Sequence, residues 1–174
     1  MSSRDRRFVA VHRGGPLDRA SHAALARWAA DCAERVLPIF ARHSTDRRPA
    51  KALEVLRSWA AGEMKTGAAM KASLGAHAAA RKATNPAAIA AARAAGQAAG
   101  TAHFADHSMG ALLYALKALA ADGRNIGSEF RRRIAKVPRH LREQVGQGVV
   151  TRLGRMKVPI SGTTKRDAAR KPLA

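Results

Sequence analysis

The stretch PAAIAAARAAGQAAGTAHFADHSMGALLYALKALAA, residues 86–121, decides the fold class. No proline interrupts it after Pro86, and its apolar and small residues recur at helical spacing. Ile89, Gly96, His103 and Gly110 stand seven apart, with Ala92, Ala99, Asp106 and Leu113 as the accompanying set. A seam of such small side chains lets a second backbone come close. The run is nevertheless long for one globular helix, and Gly96, Gly100 and Gly110 would each cost about 1 kcal/mol relative to alanine in a helix interior. We therefore expect a break near residues 101–108, with Asp106 or Ser108 capping the second helix.

Working outward, Asn85-Pro86 reads as cap and first helical position. Upstream, Leu25, Trp28, Ala29, Cys32, Val36, Ile39 and Phe40 step by three and four behind Asp18, and Pro38 should kink or end that helix. Ala52, Leu53, Leu56, Trp59 and Ala60 mark a helix entered at Pro49 and closed by Gly62, and Met70, Leu74, His77 and Ala78 mark one opening near Thr66. Downstream, IGSEFRRRIAKV precedes Pro138 and a weaker stripe of Leu141, Val145, Val149, Leu153 and Met156. FVAVH, residues 8–12, alternates like a short extended arm. The expectation is all-α: one irregular bundle of six or seven helices over 17–156, an N-terminal arm at 1–16 and a flexible basic tail at 157–174.

Composition narrows the function. The chain carries 32 Lys and Arg against 12 Asp and Glu, a net charge of +20, with aromatics at only 4%. Residues 122–174 hold 14 of those cations and four acids, so half of the excess lies in the last third. Such a balance favours a polyanion as partner, whether nucleic acid, anionic membrane or an acidic protein, against the plain alternative of a solvated basic surface. A single cysteine, Cys32, can form no internal disulfide, and the charged N-terminus lacks the apolar centre of a signal peptide. Arg93, Gln97, His103, Asp106, His107 and Lys117 interrupt the most apolar run, which argues against a membrane span. These features suggest a soluble cytoplasmic protein.

Candidate chemistry centres on TAHFADHSMG, residues 101–110. His103 and His107 share a helical face, close enough to hold a metal ion together with Asp106 and, through tertiary proximity, His77. A zinc-protease helix needs glutamate directly after the first histidine, and Phe104 stands there instead. The competing and favoured reading makes these residues a polar tie in a small-residue core, since buried Asp and His must find partners. No phosphate loop, dinucleotide fingerprint or nucleophile arrangement is present, and no cofactor is expected. Arg131, Arg132, Arg133, Lys136, Arg139 and Arg142 form the candidate contact set for a partner or polyanion. Phe130 is the only aromatic after Tyr114, so little base stacking would accompany nucleic-acid binding.

WAADCAERVLPIF (28–40), RPAKALEVLRSWAAGE (48–63) and GAHAAARKATNPAAIAAARAAGQAAGTAHFADHSMGALLYALKAL (75–119) together resemble a family of bacterial helical immunity proteins associated with polymorphic toxin systems. The resemblance spans roughly residues 8–145 and implies an all-α, cytoplasmic, non-enzymatic domain that binds and silences a cognate toxin. It brings no catalytic residues with it. The charge departs from the pattern of nuclease inhibitors, which are often acidic, and points either to an acidic protein partner or to a task that the family name does not describe. A basic nucleic-acid-binding accessory protein is the alternative.

Overall fold

The computed structural model describes residues 5–155 and is all-α. The expected basic tail, 157–174, lies outside the described residues, as does Met156 at the end of the last stripe. Eight α-helices follow two 3-10 turns, Arg6–Phe8 and Val11–Arg13: α1 Arg19–Glu34, α2 Leu37–Ala41, α3 Arg48–Ala61, α4 Thr66–Lys82, α5 Pro86–Gly100, α6 His107–Ala121, α7 Gly127–Ala135 and α8 Arg139–Arg155. The extra helix relative to the expected six or seven comes from Pro38. Its ring cannot follow the carbonyl of Glu34, so α1 ends there and the chain restarts as the five-residue α2 with Pro38 in its first turn.

Local signals account for most boundaries. Asp18 caps α1 by accepting from the Ser21 N–H at 2.8 Å, and Asn85 Oδ1 caps α5 by accepting from Ala87 and Ala88 at 3.0 and 3.1 Å. Gly62 ends α3 in the left-handed region at φ 88°, which a side chain would resist. The long run breaks where the glycines and polar residues suggest, through a turn at residues 101–106. Asp106 occupies the capping position of α6 without making a side-chain cap bond. The polar groups of the junction are held otherwise: Ser108 Oγ donates to Ala105 O at 2.6 Å.

Helix α5 is the axis of the bundle, touching α1, α2, α3, α4 and α6. Eleven of its fifteen residues are buried, nine alanines and two glycines. Close backbone approach then supplies the dispersion contacts that larger side chains would otherwise make. The bulky core sits around this axis: Leu25, Leu56, Met109, Leu112 and Leu116 are fully buried. Helices α7 and α8 close the far side against α6, with Val145 and Val149 inward.

Residues 8–12 do not extend as their alternation suggested. They curl through the second 3-10 turn, joined to the chain ahead of α1 by a bridge in which Val11 N donates to Leu17 O at 2.9 Å. Phe8, Ala10 and Leu17 are buried, so core contacts override the local strand pattern.

Candidate partner-binding face

Where α4 crosses α5 beside the 101–106 turn, the structure gathers three of the four residues singled out in sequence. His77, His103 and His107 line a hollow of about 140 Å³ together with Ser73, Met70 and Leu74. Gly96 makes the arrangement possible. A Cβ at that position would stand 2.7 Å from the His77 ring, so only glycine lets the imidazole lie flat on α5. Ser73 Oγ donates to Gly96 O at 2.7 Å and ties α4 to the same turn of α5.

The other two imidazoles are oriented by named partners. His107 Nδ1 donates to Gln97 Oε1 at 2.7 Å, and His103 Nδ1 lies 3.2 Å from an Arg13 Nη2 that can only donate, so that nitrogen accepts. Arg13 also lies over the Phe104 ring at 4.4 Å, while His103 meets that ring edge-on. Burial holds the His77 imidazole below its ordinary pKa, and Arg93, His107 and Arg81 push it further in the same direction.

Asp106 does not join the cluster. Its carboxylate faces Arg152 of α8 at 3.8 Å. No group of three or more His, Cys, Asp or Glu among the described residues is arranged to hold a metal ion. Cys32 is fully buried, and burial pushes its thiol far above the ordinary value, away from thiolate chemistry.

A larger groove of about 720 Å³ adjoins this hollow, bounded by Val11, Leu17, His22, Trp59, Met64 and Thr66. Trp59 Nε1 donates to Thr66 Oγ1 at 3.1 Å and sets its indole edge-on to His22 at 4.9 Å. His22 Nε2 donates to Thr101 O at 2.6 Å, and desolvation holds this ring, too, below its ordinary pKa. Thr66 of the groove and Met70 of the hollow are one turn apart on α4. The two concavities therefore form one continuous face.

That face carries the exposed large apolar side chains of the described residues: Val11 at 59% exposure, Met64 at 39%, Met70 at 40% and Leu74 at 69%. Met70 and Leu74 do fall on the helix stripe expected from their spacing, but that stripe is uncovered. Their unbroken spacing on α4 was a signal, but only the path of α5 shows which flank of α4 stays open. His22, Trp59 and Met64 likewise carried no sequence signal of a shared groove.

The six basic candidates divide. Arg131, Arg132, Lys136 and Arg139 are exposed. Arg133 is inside the fold: its side chain is 11% exposed, its Nε donates to Glu129 Oε1 at 2.6 Å, and its carbonyl accepts from Trp28 Nε1 at 2.8 Å. Arg142 serves the end of α7, with Nη2 donating to Ala135 O at 2.7 Å and Val137 O at 3.2 Å. No described helix is long and apolar enough to cross a membrane.

No curated protein and no solved structure matches the chain. A family described as Imm-5 like putative immunity protein matches residues 15–140, which takes in α1 to α7 and the whole of the smaller hollow but not Val11 of the groove, and the chain belongs to that family.

Proposed function

We propose that the protein is a non-enzymatic cytoplasmic binding module that neutralises a cognate toxin by direct contact, and that its contact face runs along α4 from Val11 and Met64 to Leu74. The observation that carries this reading is the gathering of the exposed large apolar side chains at two adjoining hollows. Exposed apolar side chains scattered singly need no explanation, whereas a cluster beside a concavity is the signature of a protein contact. Family membership supports an immunity-type task. Occlusion is favoured over chemistry because the one thiol is buried and Ser73, the hydroxyl that shares the hollow with the imidazoles, donates its proton to Gly96 O instead. Arg131, Arg132, Lys136 and Arg139 would act as an electrostatic rim that speeds encounter.

The test is genetic and physical together. Deleting the gene should sensitise the cell to a toxin encoded beside it, and tagged full-length protein should recover that toxin from the native cell. Leu74→Asp should abolish both protection and recovery with an unchanged melting temperature. A deletion strain that stays resistant, with no protein recovered, would remove the support.

A second reading is kept for the four exposed cations on α7 and at the start of α8, which could contact phosphates. It requires affinity for duplex DNA that falls steeply with salt, with a slope reduced by about 0.9 for each contributing cation removed. Salt-independent affinity, or none, would eliminate it.

A further inference from the structure

We infer that the groove between α1, α3 and the start of α4 is a small-molecule site whose ligand is a planar aromatic anion carrying a ring N–H or phenolic O–H. That donor rests on His22 Nδ1, and the anionic group lies at the mouth beside Lys65 and Arg19. The inference goes beyond toxin binding and does not depend on it.

Size and shape come first. Small-molecule sites take about 300–1,000 Å³, and the groove, at about 720 Å³, falls inside that range. The tip of one side chain from a docked protein would leave much of it empty. Its walls suit a flat body. Ala23 follows His22 on α1 and Ala60 follows Trp59 on α3, so each ring has a one-carbon side chain beside it in the lining. The indole of Trp59 is pinned by its bond to Thr66 Oγ1, and the exposed thioether of Met64 lies at the same opening. Rings and a thioether together favour an aromatic guest.

The floor then asks for a donor. His22 is 3% exposed, and its Nε2 donates to Thr101 O. Burial holds the ring below its ordinary pKa, so at about pH 7.5 it is neutral and Nδ1 carries a bare lone pair. Arg142 Nε is the one side-chain nitrogen or oxygen among the described residues that is both fully enclosed and unpartnered. His22 Nδ1, which accepts no bond among those residues, is therefore reachable from open space, and the open space that this ring lines is the groove. The indole N–H cannot serve it, being given to Thr66. A guest that dries the groove without supplying an N–H or O–H leaves this acceptor stranded.

The mouth adds a sign. Arg19 in the first turn of α1 and Lys65 just ahead of α4 are exposed and both line the groove. The one acid of the lining, Asp18, is already engaged: Oδ1 accepts from Ser21 N at 2.8 Å and Oδ2 from Ser21 Oγ at 2.9 Å. Helix α4 begins at this edge without a side-chain cap, so its first-turn N–H groups reinforce the attraction for an anion.

Titration calorimetry of the untagged full-length protein at about pH 7.5 and about 0.15 M salt, where long-range attraction to the +20 chain is screened, tests each part. Indole-3-acetate is the probe, and it should bind saturably. Benzothiophene-3-acetate, which has sulfur in place of the N–H, should bind about fivefold more weakly. Tryptamine, with an ammonium in place of the carboxylate, should also bind more weakly than indole-3-acetate. Ala60→Leu fills the groove from a half-buried position and should abolish binding with an unchanged melting temperature. Ala23→Leu does the same from the opposite wall should Ala60→Leu prove unstable. Leu74→Ser, at the smaller hollow, should leave binding as it is. No saturable binding, equal binding of the sulfur analogue or of tryptamine, or binding that survives the filled groove or is lost with Leu74→Ser would each overturn the inference.

Discussion

Replacing Glu129 with alanine should destabilise the protein far more than its place in a stretch of surface arginines suggests. Glu129 is 6% exposed; its Oε1 accepts from Arg133 Nε at 2.6 Å, its Oε2 from Arg132 at 3.2 Å, and Arg35 lies 4.0 Å away. Arg133 is itself 11% exposed, so the substitution leaves a nearly buried guanidinium without its counter-ion. Breaking a buried pair in this way costs about 3–5 kcal/mol. The lower figure applies here, because Arg133 keeps a 3.4 Å bond to Asp31 O. For a chain of this length, about 3 kcal/mol corresponds to roughly 6–12 °C in Tm. Differential scanning calorimetry should record that drop, while Arg132→Ala, whose side chain is 57% exposed, should stay within about 0.5 kcal/mol. The double variant Glu129→Met with Arg133→Met should recover most of the loss, since removing both charges leaves neither stranded. A fall of less than about 2 °C for Glu129→Ala would refute the view that Arg133 belongs to the fold rather than to a contact surface.

Gly96→Ala should displace the His77 ring, which a Cβ would meet at 2.7 Å, while the alanine gains about 1 kcal/mol in helix propensity. Stability should change by less than about 1 kcal/mol in chemical melts, and destabilisation beyond about 2 kcal/mol would show that the ring cannot give way. Arg142→Ala removes both bonds to the α7 terminus and should cost about 1–2 kcal/mol in urea melts, whereas Arg139→Ala should cost less than about 0.5. His22 and His77 both have folded pKa values lowered from 6.5, so the unfolded chain binds protons that the native state refuses. Their contribution is complete above 6.5 and is lost as pH falls through 6.5 toward the folded values. Urea midpoints should therefore decline between about pH 7.5 and pH 5.5, less steeply for His77→Gln, and a rising midpoint would contradict the assignment.

Helix existence and most boundaries were legible because their causes are local: Asp18, Asn85-Pro86, Gly62 and Pro38 each act within one turn of themselves. The break after Gly100 followed from glycine content and polar residues in the same way. Residues 8–12 were misread because alternation is a local pattern, whereas Phe8 is held by non-local burial. The site was half legible. His103 and His107 do line one hollow, but not through the shared helical face expected of them, since His103 lies in the turn ahead of α6; the structure added His77 through Gly96 on another helix, a juxtaposition that spacing alone cannot show. Sequence adjacency likewise made Arg131, Arg132 and Arg133 look equivalent. Glu129, one turn before Arg133 on the same helix, takes Arg133 into the fold and leaves Arg131 outside, with Arg132 exposed at the edge of the same pair.

The alanine axis has a consequence for how this protein tolerates change. Alanine loses no rotamer freedom on burial, so ordering α5 carries little side-chain entropy cost despite its central place. The same helix has no slack: each added methylene at a buried alanine pushes against neighbours on several sides and cannot be relieved by a rotamer shift. Growth in side-chain volume is therefore excluded from the centre, while α4 can exchange Met70 and Leu74 for other residues at little cost to stability. Sequence can therefore drift along that outer edge, the proposed contact face, while the interior stays locked.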